Sequence, residues 1–155
     1  MTFHWAARTI DAWLAAVRAV RLAWRMLPGD LLGLMVMRGS GIPKPNRTAA
    51  EGDVTALLVE DPRVGRYLDT GLMPIYAQTV GRYVFCRVPI DDRILAHEME
   101  HVRQWQRLGP LYLPAYFASS GLALLRGLHP YGANRYEEAA RQREVDPQAA
   151  PKEHS

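Results

Sequence analysis

Apolar residues recur at steps of three and four positions along the first part of the chain. The pattern covers residues 10–27, with arginines between the apolar positions, which are Ile10, Trp13, Leu14, Val17, Val20 and Trp24. This spacing predicts an amphipathic helix that ends at Pro28-Gly29. We expect the helix to pack on the core, and the alternative is an interfacial helix on an anionic membrane. Residues 31–37 (LLGLMVM) are too few to span a bilayer, so we expect them in the same buried or membrane-facing unit.

Two short runs of β-branched and aromatic residues predict strands. They are VTALLV at residues 54–59 and RYVFCRV at residues 82–88, and both are bounded by Gly, Pro or Asp. The stretch between helix and strand, GSGIPKPNRTAAEGD at residues 39–53, predicts a loop because it is rich in glycine, proline and small polar residues. A small β-sheet is therefore expected.

Helical patterns return in the second half of the chain. One covers residues 94–108, with N-cap oxygens from Asp91 and Asp92 and a stop at Gly109-Pro110. Residues 109–125 are uncharged but fall short of the roughly 20 apolar residues that a spanning helix needs, which favours a buried helix. A charged helix is predicted from Asn134 to about residue 144.

These elements indicate an α+β protein with one core. The chain has 155 residues, of which 48% are hydrophobic and 23% are charged, which is the size and balance of one globular domain. We divide it into an N-terminal amphipathic helical segment at residues 1–40, packed on the core or facing a membrane, and a metal-binding domain at residues 41–145. The tail at residues 146–155 is expected to be disordered.

Charge and cysteine content exclude several classes of function. The formal net charge of +3 comes from basic residues interleaved with acidic or apolar ones, which does not indicate a nucleic acid partner. Cys86 is the only cysteine, so the chain has no internal disulfide and no cysteine-based zinc site. Because charged residues interrupt the apolar N-terminal segment, it does not resemble a secretory signal, and we expect a cytoplasmic location.

The motif HEMEH places His97 and His101 four positions apart on a predicted helix. Residues at this spacing lie on one face, so both rings can direct a nitrogen at the same point, as a zinc ion requires of its first two ligands. Glu98 lies one position round the helix, where it can reach water on the metal without displacing it. Since zinc lowers the pKa of bound water to about 7, a carboxylate there can take a proton and later deliver it to a leaving amine.

The alternative is that HEMEH is only a solvated helix face. Against it, the histidines lie in the same stripe as Ile94, Trp105 and Leu108. Two histidines in an apolar stripe need polar partners, because burying an unpartnered polar group is unfavourable.

A catalytic zinc site usually takes three protein ligands. Glu137 is our predicted third ligand, because it begins an ExxA pattern on a later helix, with the small Ala140 one turn along where two helices would approach closely. Glu138 is one alternative. The other is capping alone, since Asn134 and Glu137 also have capping-box spacing.

Several nearby polar residues are candidates for supporting roles. Tyr131 and Tyr136 flank the predicted ligand and are candidates for donating to a tetrahedral intermediate, although tyrosines in such loops more often pack. His129 is a candidate oxyanion donor, but we favour a role in bracing its loop. Gln104 and Asn134 are candidates for holding a ligand imidazole or the loop.

The motif HExxH followed by a distant ExxA resembles the gluzincin branch of the zincin metallopeptidases. More closely, residues 79–140 resemble a family of small, largely uncharacterised bacterial proteins with a strand, HExxHxxQ, a G-P and tyrosine-rich segment and a closing "HPY…NPxExxA" motif. The positions that match are His97, Glu98, His101, Gln104, Asn134, Glu137 and Ala140. Arg135 stands where the family pattern has proline, a change that makes the helix entry less rigid. The resemblance implies a minimal zincin-like domain in which the histidines and Glu137 bind zinc and Glu98 is the general base.

We therefore expect a zinc hydrolase with one Zn²⁺ per chain, acting as a peptidase on a peptide or protein substrate. The strand at residues 82–88 is expected to be the sheet edge against which an extended peptide pairs. One alternative is a non-catalytic module in which zinc only joins two helices. Another is a membrane-surface protein in which the motif is incidental, and peripheral membrane contact through the N-terminal helix is compatible with either an enzyme or a module.

Overall fold

The structure is a computed structural model that describes residues 3–69 and 75–146, without the side chains of residues 3–9. It is an α+β fold in which helices pack on one small mixed sheet. In chain order the elements are α1 (Phe3–Gly39), β1 (Arg47–Glu51), β2 (Val54–Glu60), α2 (Pro62–Leu68), β3 (Ala77–Val80), β4 (Tyr83–Cys86), α3 (Asp92–Leu108), a 3₁₀ turn (Gly109–Leu111), α4 (Tyr112–Leu125) and α5 (Arg135–Val145).

The strands form a four-stranded sheet in the order β1-β2-β4-β3. β2 and β4 are parallel, and each outer strand is antiparallel to its neighbour. β2 and β4 confirm the two predicted strands. Their buried residues, including Leu58 and Phe85, join Trp105 of α3 in the core. The sheet thus supports the helix that carries HEMEH.

The predicted position of the sheet edge was wrong. β4 lies inside the sheet, because residues 77–80 (AQTV) pair with it on the side away from β2. This four-residue segment is too short and too mixed in polarity to predict a strand by its pattern, and its pairing with Tyr83–Cys86 decides its conformation. The outer strand on this side is β3.

The predicted loop at residues 39–53 also contains a strand. β1 pairs antiparallel with β2, from Glu51 opposite Val54 to Arg47 opposite Leu58. Gly52, with a φ of +62°, makes the tight turn between them. The pairing is reinforced by an ion pair of 2.9 Å between Arg47 and Glu60, so tertiary contacts override the loop-like composition.

The predicted end of the first helix at Pro28-Gly29 was wrong, because α1 continues to Gly39. Pro28 removes one helical hydrogen bond, but the following turn is held by contacts with the sheet. A Cβ on Gly29 would lie 2.8 Å from the Gly81 Cα and 2.8 Å from the Trp105 ring, so α1 crosses the β3–β4 turn at very close range. Asp30 then accepts hydrogen bonds from the Arg82 backbone N–H at 3.0 Å and its Nε at 2.8 Å.

Two helical segments that were expected to be buried are exposed or only half-buried. Residues 10–25 of α1 are exposed, and the helix contributes buried side chains only from Met26 onward. In α4 the buried residues are Tyr112 and Ala123. The absence of charged residues in α4 therefore does not reflect burial in the core. By length and composition the helical stretch Asp92–Leu125 is apolar enough to cross a membrane, a criterion that core helices of soluble proteins also meet.

The two helices predicted around the motif are confirmed. α3 begins after Asp91, whose side chain accepts from the backbone N–H of Ile94, and it ends at Gly109, which has a φ of +56°. α5 begins after Asn134, whose side chain accepts from the backbone N–H of Tyr136. α5 packs closely on α3, and Ala140 is fully buried there. Of the predicted tail, only Asp146 lies within the described residues.

Candidate metal centre

His97, Glu98 and His101 lie on the buried face of α3, and each is at most 7% exposed. α3 has one side on the sheet and the other on α5, so the four-residue spacing of the histidines directs both rings into the space between the helices. Glu137, on the first turn of α5, is 4% exposed and enters the same space. The three predicted ligands therefore come together.

The three potential ligand atoms converge on one point. The Nε2 atoms of His97 and His101 are 3.2 Å apart. Nε2 of His97 is 3.5 Å from Oε2 of Glu137, and Nε2 of His101 is 3.5 Å from Oε1 of the same carboxylate. A tetrahedral zinc ion with bonds of about 2.0–2.1 Å requires ligand atoms about 3.3–3.4 Å apart. The spacing therefore fits a metal ion of this size.

The outer nitrogens of both rings are engaged elsewhere. Nδ1 of His97 lies 2.7 Å from Oε1 of Glu144, to which it donates. Nδ1 of His101 lies 2.9 Å from Oε1 of Gln104. Because the Gln104 amide nitrogen donates to the Tyr136 carbonyl oxygen at 3.0 Å, its oxygen must face the ring and accept from Nδ1–H. These contacts leave the two Nε2 atoms as lone-pair donors directed at each other.

The Glu137 carboxylate places negative charge beside the Nε2 atoms of His97 and His101. Its Oε1 accepts a hydrogen bond of 2.7 Å from the Tyr116 hydroxyl. Its Oε2 is buried and accepts no hydrogen bond from any side chain or backbone group in the described parts of the chain. A buried carboxylate with an oxygen that lacks a donor, beside two imidazoles, is stabilised by positive charge, either a proton on an imidazole or a metal ion. The same three residues satisfy the geometric requirement for a metal-ion cluster.

The alternatives for the third ligand are not observed. Glu138 is exposed on the outer side of α5. The capping box is absent, because the backbone N–H of Asn134 donates to the Tyr131 carbonyl oxygen at 3.3 Å rather than to Glu137. Asn134 does cap the helix, through the backbone N–H of Tyr136 at 2.9 Å. Glu137 is thereby free to point into the site.

The electrostatics of the site favour positive charge. Burial by itself would lower the pKa of His101, but the neighbouring Glu137 carboxylate and the negative charge of Glu98 outweigh it and raise that pKa to about 9. For Glu137, burial would raise the pKa, but the neighbouring imidazoles of His101 and His97 hold it far below its usual range. The carboxylate is therefore ionised, and the pocket stabilises a cation next to it.

Two tyrosines of α4 serve as hydrogen-bonding partners for the ligands. The Tyr112 oxygen lies 3.0 Å from Nδ1 of His101, and Tyr116 donates to Glu137. Burial raises the pKa of both hydroxyl groups, and the negative charge of Glu137 adds to the effect. Both phenols therefore keep their protons near neutral pH. Tyr116 donates to Glu137, whereas Tyr112 faces an Nδ1–H group and can only accept from it.

Glu98, the predicted base, is not a member of the three-ligand cluster. Its side chain is 5% exposed, and its Oε2 accepts a hydrogen bond of 2.6 Å from the Thr79 hydroxyl on β3. The negative charge of Glu98 raises the pKa of His101, which places it within electrostatic range of the cluster. The structure thus brings three potential ligand residues together, with Glu98 as a separate carboxylate near them.

The remaining candidate residues fall into different positions. Gln104 holds the His101 ring, and Asn134 is fully buried and joins α4 to α5 by donating to the Tyr116 carbonyl oxygen at 3.1 Å. His129 is exposed, and its Nδ1 accepts from the Gly132 N–H at 3.0 Å, which braces the loop. Tyr131 is 37% exposed, and burial together with Glu137 raises its pKa. The Tyr136 hydroxyl contacts Arg135 rather than the ligand cluster.

The sequence interpretation missed four residues that contact the site, namely Thr79, Tyr112, Tyr116 and Glu144. Glu144 follows Glu137 by seven positions, or two helical turns, so helix periodicity could have suggested that both face α3. Thr79 carried no such signal, because the strand that contains it was not predicted. Tyr112 and Tyr116 lie in the uncharged segment at residues 109–125, whose composition predicted a buried helix and gave no sign of a role at the site.

A network of ion pairs, buried at Glu100 and Arg143 and exposed at Glu51, holds α5 against α3 beside the site. Arg143 of α5 lies 2.6 Å from Glu51, and Arg103 of α3 lies 2.6 Å from the other oxygen of the same carboxylate. Glu100, 1% exposed, lies 3.5 Å from Arg103 and 3.9 Å from Arg143. Because Glu51 precedes the β1–β2 turn, the network ties both helices to the sheet.

Comparisons of the chain with protein-family models, with curated proteins and with solved structures find no match in any of the three. The candidate metal centre is thus defined by its geometry alone, with two histidines and one glutamate that could hold an ion between α3 and α5.

Proposed function

We propose that the protein is a zinc-dependent hydrolase, and that its substrate is a peptide. The observation that carries this proposal is the Glu137 carboxylate between the two histidines. Its buried, donor-free Oε2 lies 3.5 Å from Nε2 of His97, and its Oε1 lies 3.5 Å from Nε2 of His101. Two nitrogens and one carboxylate oxygen are a common protein ligand set for catalytic zinc, which keeps a fourth position for water. Our proposal of a zincin-like enzyme rests on this set together with the resemblance of the motif.

Zinc, when bound, supplies a Lewis acid that makes water nucleophilic near neutral pH. The chain supplies the rest of the chemistry. Glu98 takes the proton from the attacking water and delivers it to the leaving amine. Thr79 holds the Glu98 carboxylate from the side of the sheet, and Tyr116 holds Glu137 from the side of α4. Each reacting or ligating carboxylate is thus oriented by a hydroxyl donor from a different element.

A peptide is the substrate that we propose because of the position of β3. Among the described residues, β3 pairs with one strand only, on its β4 side. An extended peptide can add to a sheet edge by backbone hydrogen bonds. Since Thr79 of β3 contacts Glu98, a peptide along this strand would pass the proposed base.

The test is cleavage of a peptide library, followed by mass spectrometry, with zinc-loaded wild type and the Glu98→Gln variant. We expect cleavage by the wild type, a loss of at least about a hundredfold in Glu98→Gln, and an unchanged zinc content. Glu138→Gln is the matched control, because it changes an exposed glutamate near the same cluster. Equal cleavage by Glu98→Gln and wild type would contradict the role of Glu98.

A second candidate function is a structural zinc site. It is favoured by the burial of all three ligands and by their position on two helices, α3 and α5, which the metal would join. This reading predicts full zinc binding without cleavage of any peptide. It also predicts that Glu98→Gln behaves as the wild type in every assay.

A further inference from the structure

Large apolar side chains are exposed on the first half of α1 and on the outer side of α4. On α1 they include Trp13, Val20 and Trp24, and on the 3₁₀ turn and α4 they include Leu111, Phe117 and Leu125. Each of these six residues is at least 65% exposed. We call them the two-helix apolar surface. Single exposed apolar residues are common, but contiguous apolar stripes mark an interaction surface.

The two parts of this surface begin at the same point of the fold. The 3₁₀ turn lies on α1, so closely that a Cβ on Gly109 would be 3.2 Å from the Arg25 carbonyl oxygen. From this contact the exposed half of α1 extends toward residue 10, and α4 extends from Tyr112 to Leu125. On α1, Trp13, Val20 and Trp24 line one concave face together with Arg21.

Most of the charged residues near the surface are arginines, although Asp11 lies two positions before Trp13. Residues 12–29 contain Arg18, Arg21 and Arg25 and no acidic residue. Residues 101–136 contain four arginines and no acidic residue, and residues 108–125 carry no charge at all. An α1 stripe that contains tryptophan and lies beside three arginines and one aspartate, together with an uncharged α4 segment, complements an anionic lipid surface. A second copy of the chain is disfavoured, because pairing of the α1 stripes would bring like charges together.

We propose that α1 and α4 bind the protein to the interface of an anionic membrane. The helices lie in the interface rather than span it. α4 has 14 residues, which is about 21 Å of helix against a hydrocarbon core of about 30 Å. Its inner side also holds Tyr112 and Tyr116 against the ligand cluster, so it cannot insert without leaving the site. The arginines of α1 extend toward the lipid phosphates while the tryptophans enter the acyl boundary.

The test is sedimentation with vesicles of phosphatidylcholine, with and without phosphatidylglycerol, for the full chain and three variants. Trp13→Gln with Trp24→Gln removes the α1 anchor, and Phe117→Gln with Leu125→Gln removes the α4 anchor. The matched control is Tyr76→Gln with Val145→Gln, which removes apolar side chains of similar exposure elsewhere. We expect each anchor variant to lower partitioning by about tenfold and the control to leave it unchanged.

The charge part of the proposal is tested by replacing Arg18, Arg21 and Arg25 with glutamine. Each arginine near an anionic surface strengthens binding by about fivefold, so loss of all three should weaken binding to anionic vesicles roughly a hundredfold. Binding to neutral vesicles should not change. Circular dichroism checks that every variant is folded. Three results would overturn the proposal. They are equal binding of the wild type to both vesicle types, unchanged binding of the α4 variant, and a stable dimer that does not bind vesicles. The assay needs no metal, so its result is independent of the proposed hydrolase activity.

Discussion

The helices around the ligand cluster and the two exposed helices break the usual burial rule in opposite directions. α3 and α5 bury charged and polar side chains, including His101 and Glu137, whereas α1 and α4 expose large apolar ones, including Trp24 and Leu125. Buried polar groups require partners inside the molecule, and exposed apolar stripes require partners outside it. Neither arrangement is therefore explained by the stability of the folded chain alone.

The quality of the partners differs as well. In the cluster, nearly every polar atom has a specific protein partner, such as Glu144 for His97 and Tyr116 for Glu137. The atoms that remain converge on one point, which a single ion can satisfy. The exposed apolar residues of α1 have arginines beside them but no fixed protein partners. Such a surface suits a fluid lipid interface better than a protein partner of defined shape.

The sharpest test of the comparison replaces one tryptophan in each region. Trp105 is 2% exposed in the core, and Trp24 is 77% exposed on α1. We expect Trp105→Ala to lower the free energy of unfolding by about 3–5 kcal/mol. Trp24→Ala should change it by no more than about 0.5 kcal/mol without lipid, because an exposed side chain leaves no cavity. Urea unfolding followed by circular dichroism measures both, and a similar loss in the two variants would show that α1 packs on the core.

His101→Ala should have the largest effect on metal binding. It removes one of three ligands, so zinc affinity should fall by more than the 10–100-fold, or about 1.4–2.7 kcal/mol, that is typical of changes in residues behind the ligands. Competition with a chromophoric chelator measures the affinity. The control is His129→Ala, which removes an exposed histidine that contacts Gly132 and not the cluster. Equal loss in both variants would mean that zinc binds elsewhere.

Glu144→Gln tests whether residues behind the ligands matter. The carboxylate lies 2.7 Å from Nδ1 of His97 and 3.7 Å from Nε of Arg93. An amide at this position orients the ring less strongly and makes it less basic, so we expect zinc affinity to fall by about 10–100-fold. Glu138→Gln, on the exposed side of the same helix, is expected to have no effect in the same titration. An unchanged affinity in Glu144→Gln would indicate that His97 is fixed by packing alone.

The point where α1 enters the core is tested by glycine substitutions. Gly29→Ala places a methyl group within 3 Å of Gly81 and Trp105, and it should lower the free energy of unfolding by about 1–3 kcal/mol. Gly121→Ala on α4 has no atom within 4 Å of the added Cβ, and it should instead stabilise the helix by up to about 1 kcal/mol. Thermal unfolding compares the two. A neutral Gly29→Ala would show that α1 moves away from the sheet at little cost.

The ligand cluster was predictable because its information is local. Helix periodicity places His97 and His101 on one face, and capping by Asn134 fixes where the helix of Glu137 begins. The partners of the ligands were not predictable in this way. Glu144, Tyr116 and Thr79 belong to other segments, and their contacts depend on how α5, α4 and β3 pack around α3.

The errors in the fold have the same origin. A proline such as Pro28 usually ends a helix. Here α1 continues beyond Pro28, because contacts of Gly29 and Asp30 with the β3–β4 turn hold the next turn of the helix in place. β1 and β3 have weak strand patterns, and each becomes a strand because a stronger one, β2 or β4, lies beside it. Burial was predicted wrongly for the exposed faces of α1 and α4. An apolar stripe packs equally well on the core and on a surface outside the protein, so the sequence pattern does not distinguish the two.

The central claim is that His97, His101 and Glu137 hold one metal ion. The most direct measurement is X-ray diffraction at the zinc absorption edge from crystals grown with zinc. We predict one anomalous peak per chain, about 2.0–2.2 Å from both Nε2 atoms and a Glu137 oxygen, with Glu98 outside the bonding distance. A peak at other residues, or none between α3 and α5, would contradict the assignment of this cluster as a metal centre.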